Sequence, residues 1–275
     1  MSVRGRLRCS SSSSVHVAVT EMTRVPTGAK RRASTRFGGV VAYSSGVQLI
    51  DDPRAADLSA SARRLLRRPR PRFRGVLHRW AAVASILAGV VLTVGADGNR
   101  ATFAMAVLSI GNTAMLGVSA IVHLRDWPIE RVELMVRLDH AAIFLMFATT
   151  ATPVALLGLD SPVSTWLLTV AWIGAILGIA AEWMPIHPPP GVMNVAYLVF
   201  GWSMAAFVPW FISELTVGQV VLLLTGGAAY TVGAIVVGAR WPDPWTDSFG
   251  YHEIWHVFVV VAVGLHAAMA ISLAW

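Results

Sequence analysis

The sequence predicts an all-α integral membrane bundle of seven transmembrane helices, with the N-terminus inside and the C-terminus outside. Three observations predict it. Hydrophobic residues make up 55% of the 275 positions and charged residues only 13%, which is too apolar for an ordinary soluble globule. From Trp80 onward the chain divides into seven stretches without Lys, Arg, Asp or Glu, each about one bilayer long. The charge is lopsided: most of the 22 basic residues precede Trp80, so the net +7 describes a tail rather than the whole chain.

Residues 1–73 read as a basic, largely disordered cytoplasmic tail. They hold the serine run Ser10 to Ser14, the cluster Lys30, Arg31 and Arg32, and a series of arginines from Arg63 on, with no helical periodicity sustained beyond a few residues. A basic segment beside a membrane span is a topology signal and a binder of anionic lipid headgroups. A nucleic-acid role is not expected, since no aromatic residue interleaves the arginines after Phe73. No apolar run of signal-peptide length follows the basic start within the first thirty residues.

Residues 74–275 form the membrane domain. Its charge-free stretches are 80–96, 101–124, 141–159, 161–181, 191–213, 215–239 and 254–275. Roughly 20 apolar residues cross ~30 Å of hydrocarbon as a helix, and backbone in lipid must satisfy its own hydrogen bonds. The connections carry turn chemistry, as in Asp97-Gly98-Asn99, Asp160-Ser161-Pro162, Pro188-Pro189-Pro190-Gly191 and Pro242-Asp243-Pro244. Trp80, Trp127, Trp183, Trp210, Trp241 and Trp245 fall near span ends, where amphipathic rings anchor at the interface. Arg125, Arg131, Arg137 and Arg240 lie on the side of the tail and only Arg100 on the other, which puts the N-terminus in the cytoplasm of a multi-pass plasma-membrane protein.

That parity gathers three polar segments at one cytoplasmic depth. The second span ends in Ser119-Ala-Ile-Val-His123, the third is preceded by Arg137-Leu-Asp139-His140, and the seventh is preceded by His252-Glu-Ile-Trp-His256. Residues four apart share a helix face, so the pair Ser119 and His123 and the pair His252 and His256 can each point at a common centre. Neutral imidazoles at i and i+4 can both reach one zinc ion at ~2 Å, and His123 supplies a third ligand. Three protein nitrogens leave a fourth tetrahedral position open to water, as in catalytic zinc sites. Asp139, costly at the membrane boundary unless partnered, fits as the acceptor of a hydrogen bond from that water, or else as an ion-pair partner of Arg137 or Arg131. Ser119 fits a hydrogen bond to the water or to a substrate carbonyl, or else simple helix packing.

The remaining histidines fit less well. His16 and His78 lie in or beside the tail, His187 sits in a proline-rich loop, and His266 lies ~15 Å deeper than His256. His140 points about 100° away from Asp139 on its helix, which favours packing or an interfacial hydrogen bond. Glu253 reads as a solvated group or one that supports the histidines from behind. Cys9 is the single cysteine, so any metal here sits on nitrogen and oxygen.

From Arg74 to the end the chain resembles the hemolysin III group of bacterial membrane proteins, relatives of the progestin and adiponectin receptors. The resemblance rests on Arg74-Gly75-Val-Leu-His78, Ser119-Ala-Ile-Val-His123, Arg137-Leu-Asp139-His140-Ala-Ala-Ile-Phe, Thr152-Pro153, Gly226-Gly227-Ala-Ala-Tyr230-Thr-Val-Gly233 and Phe249-Gly250-Tyr251-His252-Glu253-Ile-Trp-His256. It implies a seven-helix bundle with zinc on His123, His252 and His256, a water-holding acid at Asp139, and at Ser119 the serine of a wider group of membrane hydrolases that includes alkaline ceramidases. Val122 and Ala151 stand where members of the group often carry tyrosine, a departure that bears on substrate shape rather than metal binding.

The leading functional expectation is a membrane-embedded zinc hydrolase of a lipid amide or related acyl bond, with Asp139 and Ser119 catalytic. The alternative is a non-catalytic signalling or regulatory membrane protein in which zinc ties helices together. Membrane damage, which the name of the group suggests, is a third reading. It lacks support from any long amphipathic segment or repeated polar stripe.

Overall fold

A computed structural model of the chain describes residues 52–67, 70–186, 189 and 191–275. The expectations placed on residues 1–51 and on His187 lie outside the described residues. After a 3₁₀ turn at Pro53–Asp57 the elements are α1 (Ala60–Leu66), α2 (Val76–Gly95), α3 (Gly98–Leu124), α4 (Ile129–Gly158), α5 (Val163–Glu182), α6 (Val192–Ser203), α7 (Val208–Glu214), α8 (Val217–Ala239) and α9 (Tyr251–Ala274). No β-strand occurs among the described residues. Seven segments are long and apolar enough to cross a membrane, α6 and α7 together forming the fifth.

The side chains are distributed for a lipid surround. Large apolar groups face outward, with Val94 and Val217 each 81% exposed, whereas Ala104, Ala148, Ala262 and Ala270 are fully buried between helices. Small residues let backbones approach: a Cβ added to Gly111 of α3 would overlap Thr149 of α4. In water such an apolar exterior would be an aggregation surface, and in hydrocarbon it is at rest. The chain is therefore a multi-pass membrane protein. Neighbours in sequence pack as neighbours in space from α2 through α5, α8 packs on α9, and α9 returns against α2, α3 and α4. That return brings the first and last spans together.

Three boundaries differ from the charge-free stretches. α4 starts at Ile129, well before residue 141, because Glu133 and Arg137 pair at 3.2 Å one turn apart and extend the helix beyond the apolar slab. The fifth span breaks into α6 and α7 through a 3₁₀ turn at Met204–Phe207, since Pro209 at the start of α7 lacks an N–H and crowds the preceding turn. The third difference is α1, inside the region expected to be a tail without sustained periodicity. Ser59 caps it by accepting from the Ala62 N–H at 3.1 Å, and the Ser59 N–H donates to Glu133 at 3.0 Å. Ala62, Leu65 and Leu66 pack with Ala55 against Val122, Ile129, Val132 and Val136. Each buried leucine contributes about 1.5–3 kcal/mol, enough to hold so short a helix on the bundle. Its apolar i, i+3, i+4 set lasts a single turn among arginines, which is why periodicity does not reveal it.

Candidate metal centre

His123 occupies the last turn of α3, while His252 and His256 occupy the first two turns of α9. Local contacts near the start of α2 bring these ends together. Gly75 caps α2 in the left-handed region (φ 76°) and lies against His123 so closely that a Cβ would stand 2.9 Å from the His123 Cβ. Arg74 Nε donates to Glu253 Oε1 at 2.5 Å, and Glu253 Oε2 accepts from the Gly250 N–H at 2.8 Å, so one buried carboxylate caps α9 and clasps it to α2. Arg70 donates to the carbonyl oxygens of His123 at 3.3 Å and Arg125 at 2.7 Å, fixing the end of α3. Glu253 is therefore not solvated: it is 3% exposed and ion-paired. Arg74→Ala, which leaves that carboxylate buried without its cation, is expected to destabilise the protein by about 3 kcal/mol or more, read as a lowered Tm in detergent.

Held this way, the imidazoles converge. One nitrogen from each of His123, His252 and His256 lies within 4.8 Å of the others. Nε2 of His123 and Nε2 of His252 are 3.3 Å apart. Two nitrogens sharing one tetrahedral ion at ~2.0–2.1 Å stand roughly 3.3 Å apart. Asp139 Oδ2 sits 3.4 Å from the same His123 Nε2. Nδ1 of His123 is buried with no hydrogen-bond partner, as are both ring nitrogens of His78. Three imidazoles with a nitrogen each within 4.8 Å of the others form a group that could hold a metal ion.

Asp139 meets His123 rather than an arginine. Arg137 is taken by Glu133 and by the carbonyl oxygens of Glu182 and Met184, and among the described residues Asp139 pairs with neither Arg137 nor Arg131. Ser119, one turn deeper than His123, is buried and lines the same cavity of about 110 Å³ as the three histidines and Asp139. A second cavity of about 170 Å³ shares Phe147, Tyr197, Leu198 and Tyr230 with the first and continues among apolar side chains, with Thr150, Thr231 and His266 as its few polar groups. Ala151 lines this deeper cavity, while Val122 packs beneath α1 instead.

His78 is the residue that sequence reasoning missed. It is 2% exposed, and its ring stacks on that of His256 with centroids 3.8 Å apart and planes 4° from parallel. Its nitrogens fall outside the convergent trio, so it braces His256 rather than joining the set. The charge at Arg79 hid it by appearing to end the span, whereas Arg79 lies over the exposed ring of Trp80 at 5.0 Å and α2 continues past it to Val76. His140 also lines the cavity of the three histidines but lies outside the trio: its Nδ1 meets Glu182 at 3.3 Å, and Tyr197 donates to the same carboxylate at 3.0 Å. His266, mid-span, finds its partner in the Leu223 carbonyl at 3.1 Å and packs where Gly226 leaves no room for a Cβ.

Seven apolar spans that close their last helix against their first, with three convergent histidines and a carboxylate at one end, define a class of multi-pass membrane protein with a buried candidate metal centre. The family model of haemolysin-III related proteins matches residues 66–267, and the chain belongs to that family. It is 30% identical to Hemolysin-3 of Bacillus cereus over 189 residues, 67% of this chain and 83% of that protein. It is 32% identical over 123 residues to a Hemolysin-3 homolog of Bacillus subtilis (strain 168), 45% of this chain and 55% of that protein. The matched region holds His78, Ser119, His123, Asp139, His252 and His256, and it leaves out the greater part of α1.

Proposed function

We propose that the protein is a zinc-dependent hydrolase of the plasma membrane acting on a lipid amide or a related acyl bond. One observation carries this reading: the three converging histidines and Asp139 line a cavity that shares walls at Phe147, Tyr197, Leu198 and Tyr230 with a second, largely apolar one. His123, His252 and His256 would hold the metal. Bound zinc supplies Lewis acidity, polarising a carbonyl and acidifying water, and borderline-soft nitrogen ligands at these spacings suit it. The chain's own groups do the rest. Asp139, 3.4 Å from His123 Nε2, would orient the attacking water, take its proton and return it to the leaving amine or alcohol as the acyl bond to that group breaks. Ser119 donates its hydroxyl to the carbonyl oxygen as negative charge builds there. His78, stacked on His256, keeps that imidazole in plane as charge shifts nearby. The shared walls at Phe147 and Tyr230 guide an acyl chain into the deeper cavity and keep bulk water from the reacting bond.

Purified protein incubated with a panel of N-acyl lipids should release free fatty acid, and a chelator should abolish the release. Intact lipids with and without chelator would remove the hydrolase reading. If chelation then lowered only the melting temperature, the centre would be a tie between helices and nothing more.

A further inference from the structure

The helix α1 has two unlike faces. Ala62, Leu65 and Leu66 are buried against the bundle, whereas Arg63 and Arg67 are exposed and Arg64 is half-buried between them. These three arginines line a surface recess of about 470 Å³ together with Arg240, which arrives from the far end of the sequence as the C-cap of α8. Asp52 is the one carboxylate in the recess, and Arg54 already holds it, donating to its Oδ2 at 2.7 Å. Among the described residues no carboxylate pairs with Arg63, Arg67 or Arg240. The preceding 51 residues are themselves net basic. Burial first, and then the like charge of Arg240, push the Arg64 guanidinium below its ordinary range, a sign that the cations crowd one another. Two elements bring four cations to one concavity.

The depth of the recess identifies the anion. It lies where α8 ends at Ala239, which is the level of lipid headgroups for a spanning helix. Farther along α8, the helix that Arg240 caps, Val232 is 44% and Ile235 59% exposed, so that helix presents an apolar surface to lipid. A soluble anion would use the cations and leave that surface idle. A lipid uses both. We propose that Arg63, Arg64, Arg67 and Arg240 form a binding site for the phosphate of an anionic phospholipid, with guanidinium forks on the phosphate oxygens and an acyl chain along α8. This inference stands apart from the metal centre and does not depend on the hydrolase reading.

The test uses the full chain in neutral detergent, offered equal amounts of phosphatidylglycerol and phosphatidylcholine, with retained lipid measured by native mass spectrometry. Wild type should favour phosphatidylglycerol. Each arginine near a membrane surface accounts for roughly a fivefold preference, so R63Q/R67Q/R240Q should lose about tenfold or more of it. R63K/R67K/R240K keeps the charge without the fork and should lose much less. Excess inorganic phosphate should leave the lipid bound; displacement would overturn the lipid assignment in favour of a soluble phosphate ligand. Equal preference in wild type and the glutamine variant would overturn the site itself. If that variant aggregates, R240Q alone, at an exposed cap, should still show roughly a fivefold fall, and no fall would overturn the proposal.

Discussion

His256→Ala is expected to empty the centre. Purified wild-type protein should carry close to one metal ion per chain, and the variant almost none, because two remaining imidazoles no longer close around a common point. A metal present at about 100 times its Kd stabilises the folded state by about 2.7 kcal/mol, so chelation should lower the Tm of wild type and leave that of the variant unmoved. His256 is 3% exposed and stacked on His78, so the variant starts from a lower Tm, and the shift on chelation is the informative quantity. Equal metal content in both proteins, measured by elemental analysis, would show that the ion sits elsewhere.

Asp139→Asn separates chemistry from architecture. Asparagine keeps the size of the side chain beside His123 Nε2 and removes its basicity. Turnover of a lipid amide should fall by about 10²- to 10⁴-fold, the usual contribution of a general base, while bound metal stays near the wild-type level. Loss of metal along with turnover would make Asp139 a holder of His123 instead of a base. Unchanged turnover would remove it from the mechanism.

Much of this was legible from residues alone, and the reasons differ by element. The seven spans show as charge-free runs because lipid leaves few alternatives to a helix of apolar residues. The histidine trio was legible because i, i+4 spacing fixes a face and span parity fixes a depth. His78 was not, since one arginine beside it was read as the membrane boundary when its side chain lies over Trp80 at the surface. For Glu253 the solvated alternative stayed open because sequence carries no sign of Arg74, 179 positions away, as its partner. α1 escaped because its helical signal lasts one turn and its stability comes from tertiary burial against α4. For Glu253 and α1 the missing information was a contact distant in the chain.

The clasp between Arg74 and Glu253 also fixes an order of events during synthesis. His123 and His252 are separated by 129 residues, and at roughly 5–20 residues per second the ribosome needs several seconds to tens of seconds to pass from one to the other. Through that interval the early spans hold one imidazole beside one carboxylate, a poor trap for a cation. Only when α9 enters and its carboxylate finds Arg74 can the other two nitrogens arrive, so a metal held by all three histidines would be taken up only once the bundle is complete.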